Sequence, residues 1–225
     1  KQKTAYEISL GLVGSEMCIR DRSSKLNNYN HKAIFKECDL VNIEDLKLKI
    51  NQIRQEIGLI SILINNAAND DRHDIDSVTP ELWDNRMNVN LRHYFFTTQS
   101  VYKDMKKLGK GTIVNIGSIS WMMGQGGMPG YTTAKSAIVG LTRTTARDLG
   151  VYNIRVNCVV PGWIITERQK KLWLTPEIEK QQLEKQCIKR MLEPNDIAKP
   201  VLFFASDQSS GCTAQNYVVD GGVVN

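Results

Sequence analysis

The sequence has no apolar run of the roughly 18–20 residues that a membrane-spanning helix needs, so no membrane partner is expected. It has no Cys-x-x-Cys pair. Its cysteines (Cys18, Cys38, Cys158, Cys187 and Cys212) are odd in number and scattered, and its histidines (His31, His73 and His93) have no ligand spacing. These absences exclude a disulfide framework and a zinc site, and a reducing, cytoplasmic setting is expected. There is no strong charge of one sign. The formal net charge is +5, with lysines spread along helix-like stretches, which reads as a solvated surface and excludes a nucleic-acid footprint. Before Asn65 there is also no Gly-rich turn of the form G-x-x-x-G-x-G or G-x-G-x-x-G. Gly11 to Gly14 is too short to cradle a pyrophosphate on backbone N–H groups.

What remains is 225 residues of ordinary globular composition, enough for one domain with a full core. The informative stretch is Gly117-Ser118-Ile119-Ser120 running on to Tyr131-Thr132-Thr133-Ala134-Lys135. Tyr131 and Lys135 are four apart, which puts both on one face of a helix. An ammonium beside a phenol favours the phenolate, so Lys135 is expected to lower the Tyr131 pKa towards the working pH. Such a tyrosine can exchange a proton with an alcohol or carbonyl oxygen. Thr112–Gly117 is β-branched and reads as a buried strand ending at Ser118. That is where open α/β sheets place their ligands.

The rest of the chain alternates. Lys32–Lys36 reads as a short strand. Ile43, Leu46, Ile50, Ile53 and Ile57 recur at helical spacing up to Gly58, and Leu59–Ile64 is a continuous apolar run of the kind buried in parallel sheets. Asn69–Asp74 is a polar loop. Thr79 and Pro80 start a helix, and Leu91–Leu108 continues it. Its aromatics Tyr94, Phe95 and Phe96 read as core or subunit contact. A helix over Tyr131–Leu149, a strand over Arg155–Val160, a helix from Pro194 and a last strand over Asn216–Val219 follow.

With Asn65-Asn66-Ala67-Ala68 before the central stretch and Pro161-Gly162 after it, the chain resembles the short-chain dehydrogenase/reductase family, over most of its length from Asp39 to Gly222. The resemblance implies an α/β fold: a three-layer, doubly wound, Rossmann-type, mostly parallel sheet. It implies a nicotinamide cofactor, NAD or NADP with NAD favoured, and a small-molecule substrate. The catalytic set it implies is Ser118, Tyr131, Lys135 and Asn90, with Asn90 kinking its helix and holding a water. Cofactor contacts are expected at Asp39, Leu40, Asn65, Ala67, Tyr131, Lys135, Pro161, Gly162 and Thr166. Asp39 reads equally as a carboxylate at a helix N-terminus. A mobile substrate lid is expected over 167–192, and a homodimer or homotetramer through the Leu91–Leu108 and Tyr131–Leu149 helices.

The polar loop Asn69–His73, with Trp121 and Trp163, resembles the sugar-oxidising branch, the aldose 1-dehydrogenases. Asn69, Trp121 and Trp163 are therefore the expected substrate residues, with the two tryptophans open to reading as plain pocket wall. A ketone or 3-oxoacyl reductase would share the same catalytic residues, and a non-catalytic cofactor-binding scaffold is the reading from another class. Residues 1–22 fit neither period, resemble translated sequencing-adapter sequence and are expected to be a spurious or natural leader. The family's first two strands and Gly-rich turn have no match, so 23–225 is expected to be a partial domain with weak cofactor binding.

Overall fold

The structure, a computed structural model, describes residues 36–224. The expected leader, and all but the last residue of the strand expected at Lys32–Lys36, lie outside the described residues. The described chain forms four parallel strands in the order β1 (Ile62–Asn65), β2 (Gly111–Ile116), β3 (Ile154–Pro161) and β4 (Asn216–Val219). Ile62 pairs with Thr112, Thr112 with Arg155, and Cys158 with Asn216, so the four carboxyl ends share one edge of the sheet. Parallel neighbours need crossovers, and helices supply them.

Strand side chains alternate between faces, and both faces are buried. Leu63, Ile113 and Val156 pack under α1 (Ile43–Ile57), α3 (His93–Leu108) and α4 (Pro129–Leu149), against Leu46, Ile50, Val101, Met105 and Ala146. Val114, Ile116 and Val159 face the other way, onto Val201 and Phe204 of α7 (Pro194–Ala205). The three-layer α/β reading is therefore correct. Each fully buried side chain of this kind stabilises the fold by roughly 1.5–3 kcal/mol. A buried ion pair fixes the first layer: Asp104 of α3 receives Arg54 of α1 at 2.8 and 2.9 Å.

Local signals explain most boundaries. Asn42 caps α1 through Glu44 N and Asp45 N, and Gly58 closes it at a φ of 92°. Thr79 caps α2 (Pro80–Met87), accepting from Leu82 N. Two sequence readings need correction. The strand expected from Leu59 starts at Ile62, Leu59 being exposed. The helix continuing from α2 into α3 is interrupted by a wide π turn, Asn88–Arg92. The segment 167–192, where a lid is expected, carries two short helices, α5 (Glu167–Trp173) and α6 (Pro176–Lys185). Thr175 and Pro176 restart the chain there with a new cap. Beyond α6, Gln186 folds a turn by donating to the carbonyls of Ile188 and Arg190.

Candidate active site

The carboxyl edge of the sheet collects the residues singled out in the sequence. β2 ends at Ile116, and Ser118 follows in extended conformation, its Oγ accepting from Ser120 N at 3.2 Å. The chain returns through glycines 124, 126 and 127 to the start of α4. Pro129 occupies the first helical position and has no N–H to satisfy; the next N–H belongs to Gly130. No side chain of Met128 caps it. His73, from the loop after β1, takes that place: its Nε2 accepts from Gly130 N at 3.1 Å. The His73 Nδ1 lies 2.9 Å from the Asp71 carbonyl, which fixes the proton on Nδ1 and leaves Nε2 as acceptor. The His73 amide also donates to the Gly127 carbonyl. Gly130 must be small, because a Cβ there would lie 2.8 Å from Arg86 Cβ.

Tyr131 is therefore held at the mouth of the edge, with Lys135 one turn deeper and fully buried. Burial pushes the Tyr131 phenol up to about 12, while the Ser118 hydroxyl and the charge of Arg72 pull the other way. The expectation that Lys135 lowers the Tyr131 pKa is corrected here. The Lys135 ammonium turns to the Ile116 carbonyl at 2.8 Å and the Tyr94 hydroxyl at 3.2 Å, and lies 5.7 Å from the centre of the Tyr131 ring. Desolvation governs both groups, and it pulls Lys135 down to about 8.

Asn90 sits fully buried inside the π turn. Its Nδ2 donates to the Arg86 carbonyl at 3.0 Å, and its Oδ1 accepts from Asn69 N at 2.8 Å. The kink is thus present, and the side chain of Asn90 ties it to the polar loop. Asn65 does not join the edge through its side chain. Its amide links Asn115 at 2.9 Å and Thr97 at 2.7 Å, and Asn115 continues to Thr142. This buried chain of bonds stitches β1, β2, α3 and α4 together, as a tie within the sheet.

Asp39, Leu40 and Ala67 do come together. With Glu37, Cys38, Val41, Ala68 and Val89 they line a cleft of about 290 Å³. Asp39 is not the cap of α1; it turns back on itself, accepting from Val41 N. At the end of β3, Gly162 runs against Asp220, where a Cβ would come within 2.7 Å of the backbone. Thr166 caps α5 by accepting from Gln169 N.

The polar loop and α5 face one another. Arg168 reaches Asp70 and Asp71, Gln169 Nε2 donates to Asp70 at 3.2 Å, and Trp163 Nε1 donates to Gln169 at 2.8 Å. Asn69 is committed to the loop, accepting from Arg86 at 2.8 Å and from Asp71 N. Trp121 is partly exposed beside Met122 and Met123. Sequence reasoning gave no role to Arg86 and Arg168, set His73 only in the polar loop, and read Tyr94 as core or subunit contact without the bonds of its hydroxyl. A histidine within the loop after β1 and an arginine in the first turn of a short helix carry no periodic signal; only their partners give them a role.

A family model described as enoyl-(acyl carrier protein) reductase matches residues 8–224. The chain is 49% identical over 189 residues to the D-xylose 1-dehydrogenase of Caulobacter vibrioides (strain NA1000 / CB15N). It is 46% identical over 189 residues to the probable galactose dehydrogenase of Rhizobium meliloti (strain 1021). Each alignment covers 84% of this chain and 74% of the relative. Among solved structures, one of short-chain alcohol dehydrogenase type from Sinorhizobium meliloti 1021 superposes with a TM-score of 0.86 at 26% identity, covering 91% of this chain and 81% of that one.

Proposed function

Because the chain belongs to the short-chain dehydrogenase/reductase family of oxidoreductases, we propose that it oxidises an aldose sugar at C1 to the lactone, with NAD or NADP as hydride acceptor. The observation that carries the reading is the 46–49% identity to two sugar dehydrogenases over 189 residues. The chemistry of the edge agrees with it. Asp70, Asp71, Arg168 and Gln169 form a polar wall beside Trp163. A desolvated sugar needs a partner for each hydroxyl, and such a wall offers donors and acceptors together.

The described residues fit a dinucleotide. The cleft at Asp39, Leu40 and Ala67 would hold the adenine end. Pro161, the Cβ-free Gly162 and Thr166, with Lys135 opposite, would hold the nicotinamide end. When bound, the nicotinamide takes up the hydride from the sugar carbon. The protein's part is the proton. Tyr131 accepts it from the C1 hydroxyl as general base, and Ser118 holds the same oxygen. A phenol held at about 12 releases its proton only against burial, so oxidation is favoured by rising pH. Lys135 supplies positive charge behind the pair, and Asn90 keeps the π turn and the loop in register. The segment over α5 and α6 acts as the lid.

A panel of D-xylose, D-galactose and L-arabinose with NAD and NADP, run beside 3-oxoacyl thioesters with the reduced cofactors, tests the reading. Lactone formation from a sugar is the expected result. Reduction of the thioester with no sugar turnover overturns it in favour of a 3-oxoacyl reductase, and cofactor binding with neither reaction favours the scaffold.

A further inference from the structure

Tyr94 stands on α3, just past the π turn, and is fully buried. A buried phenol needs partners for its hydroxyl. Tyr94 has two: it donates to the Ile116 carbonyl at 3.0 Å and accepts from Lys135 Nζ at 3.2 Å. Lys135 donates to the same carbonyl at 2.8 Å. Ammonium, phenol and carbonyl therefore close a triangle two residues before Ser118. An ammonium has three N–H donors. Two are engaged here, which leaves one uncommitted among the described residues.

The other groups around Lys135 supply little charge of their own. Cys158 on β3 is a neutral thiol, pushed up to about 11 by burial. His93 on α3 is a neutral imidazole, held down to about 4 by burial and by the Lys135 charge itself. Tyr131, on the same helix, is a protonated phenol. Asp70, in the loop after β1, favours the cation from a distance. The Ile116 carbonyl is part of the sheet and cannot be removed by substitution, so among the described residues the Tyr94 hydroxyl is the one side-chain acceptor bonded to the ammonium.

We propose that Tyr94 is a positioning residue for Lys135, its hydroxyl holding the ammonium charged and fixed at the end of β2 with one N–H left for the reacting site. The proposal rests on the catalytic reading of Lys135 given above. A plain packing role is the rival, since the Tyr94 ring also meets His93 edge-on at 4.6 Å and fills a core with Ile119, Ile138, Cys158 and Val160.

Tyr94→Phe separates the two, because it keeps the ring and removes only the oxygen. The Lys135 side chain is followed by NMR through its Cε and Nζ signals during a pH titration. Loss of a hydrogen bond to a charged group should lower its midpoint from about 8 by about one pH unit or more. In sugar oxidation, the limb of the pH–rate profile assigned to Lys135 should move by the same amount, with kcat falling about tenfold or more and KM for the sugar little changed. An unmoved Lys135 titration in a folded Tyr94→Phe protein overturns the proposal whatever the activity. A shifted titration with an unmoved rate profile upholds the positioning of Lys135 and removes Lys135 from the catalytic reading. Should the variant not fold, the unmodified chain still decides: absence of a through-space contact between the Lys135 ammonium and the Tyr94 ring overturns the proposal, and its presence, with slowed ammonium exchange, supports it.

Discussion

Arg168 lies 2.6 Å from Asp70 and 3.0 Å from Asp71, so one guanidinium on α5 spans two adjacent carboxylates of the loop after β1. All three side chains keep at least 32% of their surface in solvent, so the clasp is modest and screened by salt. Arg168→Ala should raise KM for the sugar by up to about fivefold, matching roughly 1 kcal/mol for exposed pairs, and leave kcat unchanged. Added NaCl should raise KM in the parent protein and not in the variant. A salt response that survives the substitution would assign it to other charges.

Tyr131→Phe should lower turnover by about 10²–10⁴, the usual contribution of a positioned acid or base. Far-UV circular dichroism and the unfolding midpoint should barely change, since only one oxygen is lost. A variant retaining more than a tenth of the parent rate would remove Tyr131 from the proton-transfer step.

His93 gives the protein a specific weakness towards acid. Its ring is buried with both nitrogens unpartnered in the structure, and its pKa is held down to about 4. In the unfolded chain it titrates near 6.5. Between those values the unfolded chain binds one more proton than the native one, so stability falls as pH drops from about 6.5 to about 4, by about 3 kcal/mol in all. Urea midpoints for the parent and His93→Phe should diverge over that interval and run parallel above it. Parallel curves throughout would mean that the imidazole finds a partner when protonated.

The alkaline side carries two opposing signs. Lys135 is lowered to about 8, so it adds stability as pH rises above 8, where the native chain has already lost the proton that the unfolded chain still holds. Cys38 and Cys158 are raised to about 12 and about 11, so above about 9 the unfolded chain loses thiol protons first and stability falls. A maximum between about pH 8 and 9 is the expected result of chemical denaturation across that range. A monotonic fall from pH 7 would count against the burial of Lys135.

Phe95 is 43% exposed on α3, beside a half-buried Phe96, on a helix whose other face is in the core. A symmetric dimer through α3 and α4 is the expected use of that face. Phe95→Asp should lower the sedimentation coefficient at micromolar concentration without lowering the stability of the monomer. A parent protein that sediments as a monomer would dispose of the idea.

The fold was legible wherever local chemistry decides structure. The runs through Ile113 and Val156 are apolar on both faces, which only a covered parallel sheet satisfies, and Asn216–Val219 was located residue for residue. Asn65 reads as a cofactor contact from its place after the apolar run, but its bonds to Asn115 and Thr97 commit its side chain to the sheet. The direction of the Lys135 ammonium was not readable. Spacing puts Lys135 on the same face as Tyr131, but the oxygens that turn it away belong to Ile116 and to Tyr94, 41 residues back. Arg168 and its carboxylates are separated by 97 and 98 residues, a distance at which no period survives.

The clasp of His73 on both Gly127 and Gly130 gives the start of α4 a second anchor, besides the connection that leads to it. The Tyr131 phenol is thus placed from the loop after β1 as well as from the segment that precedes it in the chain. On the proposed reading, a change in the wall over 121–125 then leaves the proton-transfer group still anchored from the other side.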